Sequence, residues 1–175
     1  GASVAIILLL PLMIAATVAI KLTSPGPVIF AQHRYGLNRR TFRMFKFRTM
    51  VAQAERMQAE LEGLNEADGP VFKITSDPRV TRVGRVLRRT SVDELPQLFN
   101  VLRGEMSLVG PRPLPLRDVE RFTEAGDMRR FSVRPGLTCL WQISGRSNVG
   151  FREWGSLHLR YIDGWSLALD LAILV

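Results

Sequence analysis

The chain has very little cysteine and histidine: one Cys (Cys139) and two His in 175 residues. A lone thiol excludes an intrachain disulfide framework and suits a reducing compartment. The three residues are too scattered to form a zinc pattern. Also missing are a Walker loop and a dinucleotide-binding glycine fingerprint. Acid is the scarcer charge, with 16 Asp+Glu against 24 Lys+Arg and a net charge of +8. That excess is compatible with nucleic acid, an anionic membrane face or phosphorylated substrates. Aromatic residues make up only 8% and do not interleave with the basic ones in an RNA-binding signature, so nucleic acid is not an expected partner. No internal repeat, low-complexity tract or interdomain linker is visible.

What is present reads as one domain, or one domain plus a membrane element. The composition, 46% apolar and 23% charged, is globular and can bury a core. Residues 1–20 carry no charge, and twenty helical residues reach about 30 Å, enough for a bilayer core. Pro11 interrupts that run and should bend it. A signal peptide is disfavoured by the absence of a basic start and of a small-residue cleavage site. A kinked spanning helix and a re-entrant hairpin both remain. The chain begins without Met, directly in apolar sequence, and further residues are expected upstream.

Ser24-Pro25-Gly26-Pro27 ends the apolar element. Val28–Gln32 and Phe42–Phe47 read as short strands around a turn at Tyr35-Gly36-Leu37-Asn38. Lys46 and Arg48, two apart, share one face if both are on a strand. The spacing of Met50, Ala54, Met57, Leu61 and Leu64 predicts a packing helix, followed by a loop at 65–70. Val80, Val83, Val86 and Leu87 form an apolar stripe beside Arg82, Arg85, Arg88 and Arg89. Leu116–Ala125 reads as an amphipathic helix, Leu137–Ile143 as a short extended run, and Ser144-Gly145-Arg146 as a glycine–arginine corner. Phe151, Trp154, Leu157 and Tyr161 share a helical face, and Trp165 opens a last apolar segment. The three aromatics Trp154, Tyr161 and Trp165 are most simply core, although Trp and Tyr also suit a membrane interface.

The organising stretch is 90–104, where Asp93-Glu94 opens an apolar run. Ser91-x-x-Glu94 has the form of a capping box, and acids suit the first turn of any helix. The alternative is an acidic nucleophile among phosphate-binding arginines, because a basic segment precedes the pair and Gly110-Pro111-Arg112-Pro113 follows it. Two prolines around Arg112 limit where its guanidinium can point.

These segments, in this order, resemble the catalytic domain of the bacterial sugar transferases, the monotopic polyprenyl-phosphate phosphoglycosyl transferases. The resemblance rests on Ser24–Phe30, Lys46–Met50, Asp93–Leu102, Ser107–Pro113, Arg134–Thr138 and Trp141–Arg146, and it runs over nearly the whole chain. It implies a bacterial enzyme at the cytoplasmic face of the inner membrane. Such an enzyme moves a sugar-1-phosphate from a UDP-sugar to undecaprenyl phosphate and releases UMP, early in capsule or exopolysaccharide assembly. The resemblance favours the re-entrant reading, with the break at Pro11; Leu10 stands where many members have serine, so the bend rests on Pro11 alone. His158 occupies a commonly acidic position, so no acidic role is carried over to it, and Cys139 replaces a small residue. The long 53–78 segment resembles the larger members, which favour a hexose. A homodimer is compatible with the resemblance.

Together, patterning and resemblance predict a mainly α fold with a small β-hairpin (α+β). Residues 1–23 form the re-entrant helix–break–helix, and 24–175 form the cytosolic-face catalytic domain with amphipathic interfacial helices. By resemblance, Asp93 is the nucleophile that forms a phosphosugar-aspartyl intermediate. Glu94 is a metal ligand or acid–base partner, and Mg²⁺ is held by Asp93 and Glu94. Arg88 and Arg112 are the expected phosphate clamps, because guanidinium binds phosphate oxygens bidentately. Lys46, Arg48 and Arg146 are further candidates for the nucleotide or lipid phosphate. Two rivals share some of these features: a membrane-associated Mg²⁺-dependent phosphodiester hydrolase, and a membrane scaffold without catalysis.

Overall fold

The computed structural model describes residues 1–66, 72, 74–121, 125–144 and 151–174. Helix α1 (Ala2–Thr23) is long and apolar enough to cross a membrane by length and composition. The expected break is not a gap in the helix, because it continues through Pro11. The proline still removes one intrahelical donor, which leaves a weak point within one helix. A narrow stripe of α1 is buried: Met13, Ala16 and Ile20 pack with Phe47 and Leu87. Most of its other large side chains, Ile7, Leu8 and Leu22 among them, are exposed.

Strands β1 (Ile29–Tyr35) and β2 (Thr41–Phe47) form the expected antiparallel hairpin, in register from Ile29↔Phe47 to Tyr35↔Thr41. β1 runs further than the sequence pattern suggested. Helix α2 (Arg82–Arg89) follows, N-capped by the Thr81 hydroxyl, which accepts from the Gly84 N–H at 2.9 Å. Helix α3 (Gln97–Leu102) lies against β2. Asn100 joins the two: its Oδ1 accepts from the Phe45 N–H (3.0 Å) and its amide donates to the Arg43 carbonyl (2.8 Å).

A second sheet, not foreseen, pairs β3 (Ser107–Val109) in parallel with β4 (Gly136–Thr138). The backbones that extend this pair nearly touch. A Cβ on Gly136 would lie 2.1 Å from the Gly110 nitrogen, so only glycine fits there. Helices α4 (Leu116–Glu120), α5 (Leu140–Ile143), α6 (Phe151–Asp163) and α7 (Leu167–Leu174) complete the described fold. The observed class is therefore mainly α with a small hairpin, plus one short parallel pair.

Three local expectations are corrected. The 50–64 segment is a chain of turns with 3-10 pieces at Arg56–Gln58 and Glu62–Leu64, not a helix. It wraps the buried Arg79 guanidinium, which donates to the Ala54 carbonyl (3.2 Å) and Gln58 Oε1 (2.7 Å) and pairs with Asp77 at 2.6 Å. Of the spaced apolar residues Ala54 is buried and Leu64 is exposed, so the stripe is not buried as one helical face. The 116–125 helix stops at Glu120. The 137–143 run is strand only to Thr138; after Cys139 it turns into α5, which packs on α6. Trp154 and Tyr161 are core as expected, whereas Trp165 is exposed.

Candidate active site

Ser91 reverses the chain after α2 with φ +58°, a left-handed conformation uncommon for a residue with a Cβ. Its side chain makes no cap, and Val92–Glu94 forms a single 3-10 turn, so the capping-box reading fails. Glu94 points elsewhere. Its Oε1 accepts from Lys46 Nζ at 2.7 Å and from an Arg112 guanidinium nitrogen at 2.8 Å. Burial alone would raise the Glu94 pKa, but Arg112 and Lys46 hold it at about 2. The group is therefore a fixed anion shared by two cations. Burial pushes Lys46 down, Arg112 pushes it further, and Glu94 partly offsets both.

Asp93 is 7% exposed. Among the described residues nothing hydrogen-bonds its carboxylate. Burial pushes its pKa up; Lys46 opposes this, Glu94 adds to it, and Arg88 and Arg112 oppose it. A nearly buried carboxylate without donors, facing three cations, is weakly solvated and therefore more nucleophilic than one in water.

Arg112 is fixed from several sides. Gly136 N–H donates to the Pro111 carbonyl (2.9 Å) and Gly110 N–H to the Thr138 carbonyl (3.0 Å). Arg130 donates to the Arg112 carbonyl (2.6 Å), and the Arg112 guanidinium lies 5.8 Å from the Trp141 ring centroid. The parallel pair β3–β4 thus sets the loop that aims this arginine at Glu94.

Of the other sequence candidates, Arg88 donates its Nε–H to Thr49 Oγ1 at 2.9 Å, within electrostatic reach of Asp93. Arg48 does not follow Lys46 to the same face, because β2 ends at Phe47. Its guanidinium turns to Ser24 instead, donating to the Ser24 carbonyl and hydroxyl at 2.8 Å each, at the exit of α1. Arg146 lies outside the described residues.

Two site residues were missed. Arg34, on β1, and Gln97, at the start of α3, line the opening that also contains Lys46, Glu94 and Arg112. Arg34 lay beyond the expected first strand, which ended at Gln32, and its place opposite the buried Phe42 emerges only from the observed register. Gln97 gave no signal beyond standing three residues after Glu94. As a whole, the constellation can bind an anion, expose a carboxylate to it and neutralise charge on both sides.

The model of the bacterial sugar transferase family matches residues 1–175. The galactosyl transferase CpsE of Streptococcus agalactiae is 46% identical over 151 residues, 86% of this chain and 33% of that protein. An undecaprenyl-phosphate galactose phosphotransferase of Salmonella typhimurium is 42% identical over 157 residues, 85% of this chain and 32% of that one. The exopolysaccharide production protein ExoY of Rhizobium meliloti is 42% identical over 177 residues, 99% of this chain and 78% of that protein. The chain spans about a third of the length of the larger relatives.

Proposed function

The chain belongs to the bacterial sugar transferase family, and from that premise we propose that it transfers a sugar-1-phosphate from a UDP-sugar to undecaprenyl phosphate, releasing UMP. Relatives named for galactose and glucose transfer support a hexose. The observation that carries the reading is the unbonded, nearly buried Asp93 beside a Glu94 held by Lys46 and Arg112.

In the first step an Asp93 oxygen bonds to the phosphorus next to the sugar. The bond between the two phosphates breaks, and its electron pair leaves on UMP. In the second step an oxygen of undecaprenyl phosphate attacks that phosphorus and the Asp93 carboxylate is released. Covalent catalysis divides one displacement between anions into two. Arg88, Lys46 and Arg112 offset the charge that gathers at the phosphorus.

Asp93 and Glu94 are the groups that would hold Mg²⁺. Both cations use Oε1 of Glu94, and among the described residues neither its Oε2 nor the Asp93 carboxylate receives a hydrogen bond. No cluster of three or more metal-ligating side chains occurs among the described residues. This donor set suits a hard cation that takes its remaining oxygens from water and phosphate. When bound, Mg²⁺ supplies charge neutralisation of the diphosphate.

In this reading helix α1 seats the site at the cytoplasmic surface of the inner membrane, with Pro11, where one intrahelical donor is missing, as the point at which the helix would yield. At headgroup depth the lipid phosphate is reached without exposing its chain, at about 0.8 kcal/mol per CH₂. In Asp93→Asn, the mass adduct formed with UDP-sugar and the release of UMP should both disappear while the melting temperature is kept. An adduct that persists in the variant removes Asp93 from this role, and transfer to water without lipid phosphate points to a hydrolase.

A further inference from the structure

We infer that Arg34 and Gln97 hold the departing phosphate, the one that leaves with the nucleoside, in an anion-binding corner beside the Lys46–Glu94–Arg112 group. This rests on the transfer reading above and assigns a separate part of the same site.

The corner is built but incomplete in hydrogen bonds. Arg34 donates one terminal nitrogen to the Pro113 carbonyl (3.1 Å) and the other to Gln32 Oε1 (2.6 Å). Among the described residues its buried Nε has no partner. Gln97 is 3% exposed, and among the described residues its Nε2 has none either. Buried donors are almost always paired, so two orphan donors on residues that line one opening point to an acceptor from outside the protein.

The charges agree. Arg34, Lys46 and Arg112 line the opening with a single carboxylate, Glu94, whose Oε1 already serves the other two cations. Burial and then the like charge of Arg112 push Arg34 down to about 9, with Asp118 and Glu94 only partly offsetting. An anion between Arg34 and Arg112 relieves that repulsion and satisfies the orphan donors together.

Position selects which phosphate. Asp93 does not line this opening but its neighbour Glu94 does, which places the corner beside the phosphorus that Asp93 would attack. The corner is a neighbour of the nucleophile, reached across Lys46, Glu94 and Arg112, as the second phosphate of a diphosphate must be. No α1 residue lines the opening, which separates it from the apolar helix and favours the nucleotide over the lipid phosphate as the source.

The test is direct binding of UMP, by titration calorimetry, to the full chain in detergent micelles. Wild type, Arg34→Met and Gln97→Leu are compared, with undecaprenyl phosphate titrated in parallel. UMP affinity should fall by about tenfold or more in each variant, the size expected for a lost hydrogen bond to a charged group. Affinity for undecaprenyl phosphate should stay within about twofold of wild type. Arg34→Met also removes the tie to Pro113. If its melting temperature falls sharply, Gln97→Leu decides. Unchanged UMP affinity in folded Gln97→Leu overturns the assignment. So does an equal loss for both ligands, or a loss for the lipid phosphate alone. If wild type binds UMP and the variants do not, yet no UDP-sugar is turned over, the transfer reading fails and the anion corner stands.

Discussion

Replacing Glu94 by Gln tests the electrostatic core of the site. The carboxylate is largely buried and accepts from Lys46 and Arg112 on one oxygen. Its pKa is held at about 2, against an ordinary glutamate value of 4.5. That difference corresponds to roughly 3 kcal/mol of preferential stabilisation of the charged form. A carboxyl depressed by folding contributes its stability above the unfolded pKa and loses it as pH falls toward the folded value. Glu94→Gln should therefore cost about 3 kcal/mol at pH 7, because two cations are left without their counter-charge. The gap between wild type and variant should narrow below about pH 4.5, fall to roughly half or less by pH 3, and close only as pH passes through about 2. Urea denaturation in detergent, followed by tryptophan fluorescence at several pH values, measures this. A loss under about 1 kcal/mol at pH 7, or a gap that does not change between pH 7 and pH 3, refutes the argument.

Two further substitutions probe the supports of the site. Gly136→Ala places a methyl 2.1 Å from the Gly110 nitrogen and 2.5 Å from the Thr138 carbonyl. It should cost about 3 kcal/mol or more and reduce turnover through displacement of Arg112; a wild-type melting curve with full activity contradicts this. His158 is 1% exposed, and burial, then Arg130, then Arg112, keep its imidazole well below 6.5. The unfolded chain takes up that proton first, so wild type should lose up to about 1.4 kcal/mol per pH unit as pH falls below about 6.5. His158→Leu should flatten the dependence between pH 5 and 6.5, and equal slopes in the two proteins reject the assignment.

Where chain-local physics decides, the sequence was a good guide. The hairpin and the Trp154–Tyr161 face carry their periodicity in plain view and α1 its uncharged length, whereas of the α2 stripe Val83 and Leu87 pack inward and Val86 is exposed. Elsewhere, distant partners override local preference. The 50–64 spacing reads as a helix, yet Arg79 gathers that segment around its guanidinium. Glu94 has capping-box spacing, but Lys46 and Arg112 offer it charge where Ser91 offers only a backbone N–H. Arg48 illustrates the sensitivity of strand parity, because one residue beyond the end of β2 it turns to Ser24. The parallel pair β3–β4 was invisible, being three residues long on each side and assembled across an intervening helix. Arg34 and Gln97 gain meaning only once the hairpin is laid beside α3.

Helix α1 is at once the part suited to lipid and a wall of the protein's interior. Met13, Ala16 and Ile20 share a cluster with Phe47 and Leu87, and Val92 and Leu95, which bracket the Asp93-Glu94 pair, pack against it. Trimming residues 1–23 to obtain a water-soluble fragment would therefore unroof the floor on which the acidic pair sits. The packing of α1 and the support of the acidic pair are thus one structure, and a detergent or nanodisc that grips α1 also acts on the floor beneath Asp93 and Glu94.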